Sequence, residues 1–74
     1  MSKYATRKEL KSWGAVIPGY PIGRGEALVK TSSREVVLHN AEDAGFKMTP
    51  LVGVGHDYNF GGDLYKFVRV ETHA

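Results

Sequence analysis

The chain has 74 residues, 42% of them hydrophobic, no cysteine, and a formal net charge of +2. That describes one small domain (1–74), without thiols for a disulfide or a zinc-thiolate site and with a core worth only about 3–5 kcal/mol. Its longest apolar runs are of the length of Ala15-Val16-Ile17-Pro18, too short for a membrane-spanning helix or the core of a signal peptide.

Residues 1–5 are expected to fray. Thr6-Arg7-Lys8-Glu9 then fits the capping box, Ser or Thr followed three residues later by Glu, which opens a helix. Leu10 and Trp13 lie three apart on one face, with Arg7, Lys8 and Lys11 mostly on the other. Gly14 supplies the left-handed residue that commonly ends a helix. About two turns of helix need tertiary packing to persist, and Leu10 and Trp13 are the groups to supply it.

Pro18 to Gly25 combines two prolines with three glycines, so it neither continues a helix nor forms a central strand. It reads as a shaped loop. Glu26–Thr31 and Arg34–His39 read as two strands around Ser32-Ser33, an antiparallel hairpin rich in Leu and Val. Asn40 is a candidate N-cap, with Glu42 and Asp43 in the first turn of a short helical segment that Gly45 ends. Phe46 is expected to pack inward as the chain leaves.

Lys47–Val54 reads as extended, with Pro50 placing it at a sheet edge or a bulge. Gly55–Gly62 is a loop. Asp63–Glu71 is the strongest strand in the chain: Leu64, Lys66, Val68 and Val70 share one face, and Tyr65, Phe67, Arg69 and Glu71 the other. Residues 72–74 are expected to fray. The predicted fold is α+β, an antiparallel sheet of three to four strands packed against the N-terminal helix, with a second short helical turn.

The inventory for catalysis is thin. Ser12, Ser32 and Ser33 stand in no Gly-x-Ser-x-Gly turn, and the only carboxylate pair, Glu42-Asp43, is explained by the start of a helical turn. His39, His56 and Asp57 are the nearest approach to a ligand set for a metal, without the spacing such sites use. His56-Asp57 matches the dipeptide of metal-dependent phosphohydrolases, which need several more His and Asp ligands that this chain lacks. Gly23-Arg24-Gly25 follows neither phosphate-binding glycine pattern. The expectation is a protein that is not an enzyme and that takes no cofactor and no metal.

Charge points instead to a partner. Residues 1–34 hold seven Lys and Arg against two Glu, a balance of +5, whereas residues 35–74 hold three against six acids, or −3. Four of the seven N-terminal cations precede residue 12, so the basic end is the candidate surface and an acidic protein patch the candidate target. Arg7, Lys8 and Lys11 on the helix, with Tyr20 and Arg24 on the loop, are the expected partner-binding residues.

A second reading is a nucleic-acid-binding domain that uses Lys30, Arg34 and an aromatic strand face of Tyr65, Phe67 and Arg69. Against it stand burial of those rings under a helix and a net charge of only +2. Self-association to complete a small core is a third. In size, motif-free composition and lack of cysteine the chain is similar in general character to the small accessory and inhibitory proteins of bacteriophages. That resemblance implies a regulator or inhibitor. The absence of cysteine fits a reducing interior, so the cytoplasm is the expected location, the host's if the chain is viral.

Overall fold

The capping box at Thr6 is formed. In the computed structural model, which describes residues 3–19, 21–51 and 61–70, the Thr6 hydroxyl accepts from the Glu9 amide at 3.1 Å. The Glu9 carboxylate in turn accepts from the Thr6 amide at 3.0 Å. Helix α1 runs Arg7–Ser12. It stops at Gly14, whose φ of +98° lets the Ala15 amide reach the Leu10 carbonyl (3.0 Å) and the Gly14 amide reach Lys11 (3.2 Å). These two bonds satisfy carbonyls that a helix end otherwise leaves unpaired. Thr6→Ala is expected to cost about 1 kcal/mol in urea unfolding. An unchanged midpoint would mean that the helix start contributes nothing to the fold.

Strand β1 spans Glu26–Lys30, helix α2 Arg34–Asp43 after a single 3-10 turn, β2 Phe46–Pro50 and β3 Gly62–Arg69. The sheet is antiparallel with β3 in the centre, in the order β1-β3-β2. Glu26 to Lys30 pair with Lys66 to Gly62, and Phe46 to Pro50 pair with Arg69 to Tyr65. Residues 3–5 are bonded to the sheet: the Ala5 amide donates to the Phe67 carbonyl, and the Arg69 amide to the Lys3 carbonyl. They continue the sheet beside β3 where β1 begins.

Both helices cover the face that carries Tyr65 and Phe67. Trp13 lies against both sheet phenylalanines, with ring centroids 5.2 Å from Phe46 and 5.7 Å from Phe67. Leu10, Ala27, Val29, Val37, Ala41 and Tyr65 complete this core. Aromatic area of this kind is what a domain so small needs. The alternation along β3 therefore serves the core, and Phe46 packs inward as its position predicts.

The hairpin expected from Arg34 to His39 is not there, and the segment is the first half of α2. Helical spacing suits it: Val37 and Ala41, four apart, are fully buried, while Val36 is 61% exposed. A strand would have set Val37 on the same face as Glu35 and His39. Nor is there an edge for a fourth strand beside β1, because Val16 exchanges two 2.8 Å backbone bonds with Leu28 on that side.

Asn40, expected as an N-cap, sits inside α2 and donates from Nδ2 to the Trp13 carbonyl at 3.2 Å. It serves the end of the other helix. Gly45, at φ +86°, closes α2 as expected. Strand β2 pairs with β3 alone, so Pro50 does stand on an edge strand; residues 52–60, where the expected extended segment ends and the loop lies, fall outside the described residues.

Candidate functional site

Helix α1 and the glycine-proline loop meet. Where the loop turns into β1 they enclose a groove of about 340 Å³, lined by residues 4–7, Leu10, Ile17 and residues 22–26. Its floor is apolar: Ala5 and Leu10 are buried, and Ile17 and Ile22 are partly so. Arg7 enters from the first turn of α1 and Arg24 from the loop, 17 positions later, and both are exposed. Neither forms an ion pair with any of the described residues. Two cations thus line one trough with apolar residues.

The loop owes its shape to two contacts. The Gly23 amide donates to Glu26 Oε1 at 3.0 Å, folding residues 23–26 into a tight turn. The other Glu26 oxygen accepts from Lys66 Nζ at 3.2 Å, in a pair that is largely shielded from solvent. Lys66 also sits 4.8 Å from the centroid of the Tyr4 ring. The one carboxylate lining the groove is therefore committed to Lys66 and the Gly23 amide, and it does not neutralise Arg7 or Arg24. Gly25 completes the junction, its carbonyl accepting from the Phe67 amide at 2.7 Å.

Of the residues expected to bind a partner, Arg7 and Arg24 come together in the groove. Lys8 and Lys11 are exposed on α1 but do not line it, and Tyr20 lies outside the described residues. The set expected for nucleic acid does not converge. Lys30 ends β1, about 13 Å along the strand from Glu26, and Arg34 follows it at the start of α2, whereas Arg69 lies beyond Glu26 at the near end. Arg69 packs over the Phe46 ring at 4.5 Å. Tyr65 and Phe67 are buried in the core and offer no ring face for a base to stack on.

His39 pairs with Asp43 one turn along α2, at 3.5 Å and exposed to solvent. His56 and Asp57 lie outside the described residues, and among the described residues no three side chains form a metal-ligating cluster. No helix among the described residues is long and apolar enough to cross a membrane.

Sequence reading missed Tyr4, Ile17 and Ile22 as lining residues and Lys66 as the partner of Glu26. One signal was available: Ile22 is a large apolar residue isolated in a Pro/Gly loop, where a solvated turn has no use for it. Compared with protein-family models, curated proteins and solved structures, the chain matches none.

Proposed function

We propose that the chain is a small interaction protein without catalytic activity, which binds an acidic surface of a macromolecular partner and modulates it by occupying that surface. The contact is made by α1 and the loop that follows it. One observation carries the reading: Arg7 and Arg24, distant in sequence, line one groove with no ion pair among the described residues. Exposed, uncommitted guanidinium groups are suited to carboxylates, and they steer an acidic partner at long range. Lys8 and Lys11 extend the positive field along the exposed side of the helix. A protein that acts this way in the cytoplasm needs no cofactor.

The nucleic-acid reading is the weaker one, because its cations lie at opposite ends of the sheet and its two rings are buried.

The test is affinity capture with the intact chain, followed by binding measurements on whatever protein is retained. Reversing Arg7 and Arg24 to Glu is expected to weaken that complex about tenfold or more. Reversing Lys8 and Lys11 is expected to act less, mainly by slowing association. Binding that survives both double reversals would remove the basic end from the interface. A mixed-sequence DNA titration at low and moderate salt is expected to show no binding. Tight binding with a steep salt dependence would instead favour nucleic acid.

A further inference from the structure

Resting on that reading, we propose that the groove between α1 and the loop takes a linear acidic peptide, an apolar side chain seated on the floor with carboxylates on either side of it. A flat acidic patch would need only the cations. The trough adds a requirement of its own, because Ile17 and Ile22 line it partly exposed and gain from covering with another apolar group. Its volume of about 340 Å³ is at the lower end for a pocket that accepts a whole ligand, and it suits one or two side chains.

The charges complement the same occupant. Arg7 and Arg24 both line the groove, one contributed by α1 and one by the loop, so carboxylates flanking the inserted residue have guanidinium groups to meet. The charge of Glu26 is offset by its ion pair with Lys66 at 3.2 Å, which limits its repulsion of an acidic occupant. A nucleic-acid base fits less well: the aromatic ring in the groove is Tyr4, and Lys66 already sits over it.

The experiment is a titration of the isotope-labelled full chain, followed by amide chemical shifts, with the peptide acetyl-Glu-Leu-Glu-Leu-Glu-amide. The same peptide with Gln in place of Glu is the control, and a ten-residue oligothymidine is a second probe. The expected result is saturable shifts at residues 4–10 and 22–26, with a dissociation constant on the order of 0.1–1 mM. The Gln peptide and the oligothymidine are expected to move little. Ile22→Ser, at a partly exposed loop position, and Arg24→Glu are each expected to weaken binding about fivefold or more, their undisturbed spectra showing that the fold is kept.

Shifts of equal size with the Gln peptide, stronger binding by the oligothymidine, or unchanged affinity in Ile22→Ser would each overturn the proposal. If the peptide fails while the captured partner still depends on Arg7 and Arg24, the peptide groove is wrong and the acidic-partner reading survives. If the partner is also indifferent to those arginines, both fall.

Discussion

Phe67→Ala should leave the chain unfolded at room temperature. Phe67 is 0% exposed at the middle of the central strand, and its ring meets Trp13, the side chain that ties α1 to the sheet. Truncating a buried phenylalanine costs about 3–5 kcal/mol through lost transfer energy and the cavity left behind. A domain of this size has about 3–5 kcal/mol in total. The two quantities meet, so the variant has no margin. Circular dichroism is expected to show loss of the native spectrum, whereas Phe67→Leu is expected to remain folded at a cost of about 1–2 kcal/mol. If Phe67→Ala melts as the parent chain does, the stability of the domain is centred elsewhere.

Gly25→Ala is the second large effect. Gly25 has φ +73°, in the left-handed region that L side chains avoid at about 1–2 kcal/mol. A Cβ there would stand 2.7 Å from the Phe67 carbonyl oxygen and 2.9 Å from Tyr4 Cβ. The first neighbour is backbone of the central strand and has little freedom to move. Relief would have to come from the bond between the Phe67 amide and the Gly25 carbonyl, which joins the loop to β3. The expected loss is at least about 2 kcal/mol in urea unfolding, the sum of backbone strain and overpacking. Gly19→Ala is the control. Nothing lies within 4 Å of its added Cβ, and a change within about 0.5 kcal/mol is expected. Equal effects at the two positions would mean that general loop stiffness, and not the junction, sets the loss.

Because Gly25 and Tyr4 also line the groove, Gly25→Ala couples stability to the site. The cation-lined trough exists because the first strand, the residues before α1 and the loop are held together at one point. Arg7 and Arg24 are exposed and could be exchanged without touching the core, whereas Ala5 and Leu10, which line the same groove, are buried in it.

Much of this architecture was legible residue by residue. The start of α1 follows from Thr6 and Glu9, and its end from Gly14, because caps and positive-φ glycines act within one turn of chain. Strand β3 follows from the alternation Leu64–Val70, though its central place in the sheet does not, and the helix cover follows from the need to bury Tyr65 and Phe67 beneath Trp13 and Leu10. The edge position of β2 follows from Pro50, which cannot donate to a second neighbour. In each case the deciding group and the group it decides are a few residues apart, or the constraint is simply that large apolar area must leave water.

Residues 34–43 were different. Val36-Val37-Leu38 has strand propensity, yet that scale spans only about 1 kcal/mol from best to worst residue and yields to packing. Helix won because Val37 and Ala41 on one stripe meet Trp13, Gly14 and Phe46, and because Val16 and β3 already occupy both sides of β1. The same holds for Asn40, whose amide serves a carbonyl 27 residues away, and for the presence of Arg7 and Arg24 in one groove. Local chemistry chose the ends of elements and the face each one buries. Which segments became neighbours, and so which cations share a site, was settled by competition among distant apolar faces for one small core.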